Sequence, residues 1–300
     1  MSRVLVLGAG GLLGHKVCQR LRGHEVLGLV RQGATAYEGY CGVFEGVTLL
    51  GDVDVLQAER LEATIRDVRA QVVVNCVGLV KQREEAQDPY LAVAINALLP
   101  HRLARLCAEI GARLVHVSTD CVFSGRRGRY RESDLTDAED LYGKSKALGE
   151  TGSRETSAVT LRTSFIGREL ASPKHGLVEW FLAQDGGSVK GFAGVTYTGL
   201  TSVELANVIR KIVECQRDLS GLYHVAGEAI TKYELLFLLR RTYGLSVDIQ
   251  RAEEPVSDRS LVMERFSEAT GYTAPTWPEM IRAMYQDATP YETRSLQEHG

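Results

Sequence analysis

Short, largely apolar runs recur along the first half of the chain, and helical spacing fills the gaps between them. Residues 3–7 read RVLVL, 25–30 EVLGLV, 47–50 VTLL, 71–78 QVVVNCVG, 112–118 ARLVHVS and 158–164 AVTLRTS. The continuous run at 3–7, apolar at successive rather than alternate positions, predicts a strand covered on both faces, as in a parallel sheet. In the first gap, Leu13, Val17 and Leu21 share one face of a helix over 12–22. Helices are predicted likewise over 55–69, 91–110 and 141–154. Strand–helix alternation of this kind predicts right-handed βαβ units and an α/β fold with a doubly wound parallel sheet. The pattern loosens after residue 165. VKGF, GLYHVAG and VDIQR are short strand candidates there, with helices at 202–215, 232–243 and 277–285. The expected organisation is a sheet domain over 1–165, a smaller region over 166–286 folded on the sheet's carboxyl edge, and a mobile polar tail over 287–300.

Composition narrows the function. At 300 residues the chain holds one large or two joined domains. With 35 basic and 38 acidic side chains the net charge is −3, which argues against a nucleic-acid partner. Hydrophobic residues make 44% and charged residues 24%, which excludes a disordered chain. No apolar run reaches the roughly 18 residues of a membrane span, so no membrane association is expected. The opening residues are too soon interrupted by glycine for a signal peptide. Cys18, Cys41, Cys76, Cys107, Cys121 and Cys215 form no CxxC pair. A reduced, cytoplasmic protein without disulfides or a metal site is the reading.

Two motifs carry chemistry. Gly8-Ala9-Gly10-Gly11-Leu12-Leu13-Gly14 follows the first strand and opens the first helix. Glycines there permit a tight turn, backbone approach to a pyrophosphate and close helix–strand packing, while the helix N-terminus favours an anion. A dinucleotide cofactor is the expected ligand. NAD sites place a carboxylate at the end of the second strand, but here the chain reads Arg31-Gln32-Gly33. An arginine suits a ribose 2′-phosphate, so NADP(H) is preferred and NAD(H) stays possible. Further on, Tyr142 and Lys146 are four apart and share a helix face. A phenol with a pKa near ~10 needs a neighbouring ammonium to lower it for acid–base work at neutral pH. Ser118-Thr119-Asp120 ends the fifth strand, where a hydroxyl would face the same pocket.

The three-and-three spacing of Gly8, Gly11 and Gly14 resembles that of the extended short-chain dehydrogenase/reductase family, whose core is a Rossmann fold. Ser118-Thr119-Asp120-Cys121-Val122-Phe123-Ser124-Gly125, Tyr142-Gly143-Lys144-Ser145-Lys146 with Gly149-Glu150, and Leu161-Arg162-Thr163-Ser164 resemble its dTDP-4-dehydrorhamnose reductase-like branch. The resemblance is specific to about residue 166 and diffuse beyond. It implies an NADPH-dependent reductase of the 4-keto group of a nucleotide-linked deoxy sugar. Tyr142 would be the acid, Lys146 would lower its pKa and hold the nicotinamide ribose, and Thr119 would orient the carbonyl, with Ser118 as the alternative. Asp52 and Val53 would meet the adenine, and Cys76, Val77, Gly78 and Ser164 would complete the cofactor contacts. Lys81, Asp120, Phe165, Tyr197 and Arg259 join Thr119 as candidate substrate contacts. Asn96 resembles the family's helix asparagine, with a buried backbone group as its alternative partner.

The departures also inform. Cys121 stands where the superfamily's dehydratases carry glutamate, which argues against water elimination. Phe165 stands where rhamnose-pathway reductases often have tryptophan, and the 191–199 loop lacks the branch's usual proline. An epimerase remains an alternative. So does a cofactor-binding regulatory subunit similar to the methionine adenosyltransferase β subunit. The run Arg126-Arg127-Gly128-Arg129-Tyr130-Arg131 reads as a solvated loop rather than a phosphate clamp. The resemblance also implies a homodimer, paired through the helices over 91–110 and 141–154.

Overall fold

The computed structural model describes residues 1–40, 42–80, 84–151, 157–170 and 173–291. The first half runs β1 (Arg3–Leu7), α1 (Gly14–Arg20), β2 (Glu25–Leu29), β3 (Val47–Leu50), α2 (Ala58–Val68) and β4 (Val72–Asn75). Then come α3 (Pro89–Ala92), a π-helical turn over Val93–Leu98, α4 (Leu99–Ile110), β5 (Arg113–Val117), α5 (Leu141–Leu148) and β6 (Ala158–Arg162). The second half runs β7 (Phe165–Ile166), α6 (Leu177–Leu182), β8 (Ser188–Phe192), β9 (Val195–Tyr197), β10 (Leu200–Thr201), α7 (Ser202–Cys215) and β11 (Gly221–His224). It ends with β12 (Ile230–Thr231), α8 (Lys232–Tyr243), β13 (Asp248–Ala252), β14 (Ser257–Asp258), α9 (Glu264–Thr270) and α10 (Trp277–Tyr285).

Seven parallel strands form the central sheet in the order β11-β6-β5-β4-β1-β2-β3. The chain therefore starts in the middle and winds outward both ways, as the alternation predicts. Side chains alternate between the faces. Leu5, Leu7, Val73 and Leu114 pack with Leu61 of α2 and Leu99 and Leu103 of α4. Val4, Val6, Val74 and Val115 pack on the other face with Val17 of α1 and Val208 and Ile212 of α7. Burying each such side chain contributes about 1.5–3 kcal/mol before chain entropy is counted.

The winding reverses between β1 and β4, and ligands bind such sheets outside the carboxyl ends at that point. There Gly8 follows β1 with φ +74°, and a Cβ on it would lie 3.1 Å from Val77 beyond β4. A Cβ on Gly14 would sit 2.0 Å from the Gly8 carbonyl oxygen, so only glycine lets α1 start this close to the turn.

Several expectations change. The stretch after 165 supplies β11 to the central sheet and packs α7 beside α1, because the sheet's far edge and one face need covering. α6 and α9 are additional short helices. α5 stops at Leu148 rather than at 154, with Gly149 as its C-cap. The helix over 91–110 is interrupted by a π-turn just before Pro100. Proline has no N–H and its ring crowds the carbonyl four residues back, which here is that of Asn96. Pro89–Ile110 taken together has 22 residues and is long and apolar enough to cross a membrane, contrary to the expectation that no stretch reaches that length. Half of it is buried inside the protein, as in a core helix.

The polar tail also begins later than residue 287. Lys16, buried in α1, pairs with Asp287 and donates to Thr289 Oγ1 at 2.6 Å. His15 Nδ1 meets the Gly11 carbonyl at 2.8 Å while its Nε2 lies 3.3 Å from the Tyr291 hydroxyl. Residues 287–291 thus lie on α1 because a buried ammonium requires a partner. Residues 292–300 lie outside the described residues.

Candidate functional site

The sheet's carboxyl edge brings the two motifs together. Asp140 caps α5 by accepting from the Gly143 N–H at 2.7 Å, worth about 1 kcal/mol. A Cβ on Gly143 would lie 2.2 Å from the Cys121 carbonyl oxygen, so the loop after β5 lies directly on the first turn of α5. That contact sets the Thr119 hydroxyl in a hydrogen bond with the Tyr142 phenol. Thr119 Oγ1 also accepts from the Cys121 N–H at 3.1 Å and lies 3.3 Å from Asp120 Oδ1.

Tyr142 is half-buried, and burial is the main influence raising its pKa, assisted by Cys121, Asp120 and Asp140; the Thr119 bond acts the other way. The net shift opposes the lowering expected from Lys146. The reason is geometric: Lys146 donates its Nζ to the Val117 carbonyl at 2.8 Å. Burial brings Lys146 down to about 8, with Glu150 pulling upward. A Cβ on Gly78 would stand 3.9 Å from that same Nζ, so the ammonium reaches the edge of β4. The phenol is a protonated donor at neutral pH.

Ser118 does not compete with Thr119. Its hydroxyl donates to Glu150 Oε1 at 2.9 Å, and Glu150 holds Arg162 by two bonds of 2.7 Å each. Asn96 takes the structural part. It accepts from Leu79 N at 2.9 Å and donates to Leu79 O and Ser145 Oγ at 3.1 Å each, tying the β4 exit to α5. A Cβ on Gly149 would lie 1.9 Å from the Asn96 carbonyl oxygen, the one the π-turn sets beside α5.

At the glycine turn, Gly11 N donates to Gly8 O at 2.9 Å, and Leu12 and Leu13 lead into α1, with Leu13 buried in the core. α1 begins without a side-chain cap or an acidic residue. A Cβ on Gly10 would fall 2.2 Å from the Tyr37 hydroxyl, so Tyr37 lies against the turn. Arg31 is exposed at the end of β2, and its charge reaches the Tyr37 phenol. Asp52 is exposed with φ +58°, its carboxylate beside Gly33, while Val53 is buried and donates to Val30 O at 3.4 Å. Cys76 donates its N–H to Leu7 O at 3.2 Å, and burial pushes its thiol up to about 12. Ser164 and Phe165 are half-buried beyond β6, with Ser164 O accepting from Leu200 N at 2.9 Å.

On the far wall Asp120 is buried, and burial raises its carboxyl against the pull of Arg259 and Lys232. Arg259 Nε donates to Phe123 O at 2.9 Å. Tyr197 is buried with its hydroxyl unpartnered. Lys81 lies outside the described residues. The arginine run is engaged on the surface: Arg126 pairs with Glu139, Arg127 with Asp134 and Arg131 with Glu264. Glu150 and Lys232 were not among the sequence candidates. Glu150 stands four residues after Lys146, a spacing that could have flagged it; Lys232 has no local signal. Among the described residues no cluster of His, Cys, Asp and Glu is placed to hold a metal ion.

The family described as RmlD substrate binding domain matches residues 2–289. The chain belongs to that family. Among relatives, it is 26% identical over 302 residues to the spore coat polysaccharide biosynthesis protein SpsK of Bacillus subtilis, covering 96% of this chain and 98% of SpsK. It is 27% identical over 270 residues to methionine adenosyltransferase 2 subunit beta of Rattus norvegicus, covering 87% and 77% of the two chains. Its fold matches the crystal structure of dTDP-4-dehydrorhamnose reductase from Bacillus anthracis in complex with NADP, with a TM-score of 0.76 at 18% identity, over 95% of this chain and 99% of that one. The RmlD family assignment spans both halves, the glycine turn and the later wall alike.

Proposed function

We propose that this RmlD-family protein is an NADPH-dependent reductase of the 4-keto group of a nucleotide-linked deoxy sugar. The observation that carries the reading is the Thr119–Tyr142 hydroxyl pair beside Lys146, set at the carboxyl edge next to the glycine turn. The residues present fit the dinucleotide: Gly8, Gly11 and Gly14 contribute no side chains of their own to the turn, and α1 starts without a competing carboxylate. Gly10, Leu12, Leu13, Asp52, Val53, Cys76, Val77, Gly78 and Ser164 complete its expected contacts, with Arg31 beside Tyr37 for the 2′-phosphate. NAD(H) is the weaker cofactor.

When bound, NADPH supplies a hydride to the carbonyl carbon. The chain's part is the proton and the orientation. Thr119 donates to the substrate oxygen, and Tyr142, kept protonated by its burial, gives that oxygen its proton. Lys146 orients the cofactor's ribose and stabilises the phenolate that remains. Lys81, Asp120, Phe165, Tyr197 and Arg259 are the remaining candidate sugar contacts.

Nicotinamide absorbance tests the reading, with NADPH, or NADH in parallel, and a panel of nucleotide-linked 4-keto-6-deoxy sugars. Oxidation with any one sugar is expected. No oxidation despite NADPH binding would move the weight to an epimerase or a regulatory subunit, the second of which the methionine adenosyltransferase relative favours.

The protein is further proposed to be a homodimer. Tyr90, Val93, Leu98 and Leu148 are large apolar side chains exposed on α3, the π-turn and α5. Their exposure at 77%, 38%, 56% and 66% leaves an apolar patch for a second copy. Light scattering should give twice the monomer mass of 33.0 kDa. A cytoplasmic setting, without membrane or nucleic-acid partners, fits the free thiols of Cys18, Cys76, Cys107, Cys121 and Cys215. A division into a cofactor half and a mainly substrate-facing half fits the placement of Tyr197 and Arg259.

A further inference from the structure

Lys232 stands at the site with no task assigned by any motif. It is the first residue of α8, following the short strand β12, whose Ile230 pairs with Tyr197. Its Nζ lies 4.4 Å over the Tyr197 ring, and among the described residues it donates no hydrogen bond. The ring is fixed: it packs on Trp277 with centroids 5.5 Å apart, and a Cβ on Gly199 would stand 2.4 Å from it. Yet the Tyr197 hydroxyl is buried without a partner. An unsatisfied buried hydroxyl carries a desolvation cost that a ligand can remove.

Both groups lie within electrostatic reach of Asp120. Asp120 in turn lies 3.3 Å from the Thr119 hydroxyl that bonds Tyr142, so this wall is one residue from the reacting position. Arg259 shares the wall but gives Nε and Nη2 to the Phe123 and Ser124 carbonyls at 2.9 and 3.4 Å. What remains is an ammonium with unspent donors, a phenol without a partner and a carboxylate with spare lone pairs. A sugar hydroxyl satisfies such a set because it both gives and accepts. A carboxylate on the sugar would face Asp120, and a methylene would leave all three groups unpaired.

We propose that Lys232 and Tyr197, with Asp120, form a subsite that reads a hydroxyl on the ring carbon next to the reacting carbonyl. The substrate is then a sugar that retains that hydroxyl. The inference rests on the nucleotide-sugar reading above and deepens it.

The test is calorimetric binding of dTDP-glucose and dTDP-3-deoxyglucose, in the presence of NADP⁺, to the full chain and to Lys232→Met and Tyr197→Phe. Both variants keep the bulk of the side chain, and thermal melts verify their folding. The wild type should favour dTDP-glucose by at least tenfold, since a site built to bond a hydroxyl rejects the analogue lacking it. Each variant should weaken dTDP-glucose by about tenfold, leave dTDP-3-deoxyglucose unchanged and so collapse the preference. Equal binding of the two sugars by the wild type, equal losses in the variants, or no binding of either sugar would overturn the subsite. Turnover is read separately by NADPH oxidation. A binding preference without turnover keeps the subsite and removes the reductase; turnover without the preference does the reverse.

Discussion

The two walls of the site are built differently. The wall from residues 8 to 149 is made by backbone: a glycine turn against β4, a loop laid on Gly143, a carbonyl of Asn96 against Gly149. Its side chains follow from short spacings, Thr119 at a strand end and Tyr142 four before Lys146. The opposite wall, with Tyr197, Lys232 and Arg259, comes from β9, the start of α8 and the chain just after β14. No two of its members are within 25 residues, and only tertiary packing makes them neighbours. The difference teaches where rigidity and variability lie. The proposed reaction geometry rests on close backbone contacts that leave no room for a Cβ, while the proposed sugar contacts come from side chains outside the central sheet.

The largest expected effect lies on the first wall. Tyr142→Phe should leave NADPH binding nearly intact and lower turnover by about 10²–10⁴-fold, the range for losing an acid–base group. Surviving turnover would remove the acid from that wall. Gly149→Ala comes next, because its Cβ would stand 1.9 Å from the Asn96 carbonyl oxygen. Overpacking against backbone should cost about 1–3 kcal/mol in chemical denaturation; an unchanged midpoint would show that the wall yields.

Arg31→Ala should weaken NADPH by about tenfold and NADH little, the scale of one charge-assisted contact; equal losses would refute the 2′-phosphate pairing. Smaller still is a pH effect. Lys146 titrates at about 8, so its ammonium is present below that pH and lost above it. NADPH affinity should therefore fall severalfold between roughly pH 7 and 9, and Lys146→Met should give a flat profile. Lys16, which burial also brings to about 8, keeps its titration in that variant, so a flat profile isolates Lys146. Arg126→Ala should change stability by less than about 0.5 kcal/mol, because its pair with Glu139 is exposed.

Much of the fold was legible in advance. The six N-terminal strands appear where the apolar runs stand, because the inner strands β1 and β4 are covered on both faces and so are largely apolar, while the edge strand β3 is only half-buried. The glycine turn and the Tyr142–Lys146 pair were legible for a similar reason: a turn or a helix face is specified by residues a few positions apart. Legibility failed where a partner lies far along the chain. Nothing near Lys16 in the sequence points to Asp287, which the fold places beside it. Ser118 stays an alternative to Thr119 until Glu150 takes the serine.

The sequence by itself determined the doubly wound sheet, the dinucleotide turn and the residue types of the proposed proton transfer, since each follows from local stereochemistry. Only the tertiary structure decided that β11 completes the sheet and that residues 287–291 lie on α1. It also decided that Tyr142 is raised rather than lowered, because burial and the direction of Lys146 Nζ toward Val117 O depend on every element packed around them. Charges and hydroxyls act over a few ångströms in space, and neighbours at that range can be hundreds of residues apart along the chain.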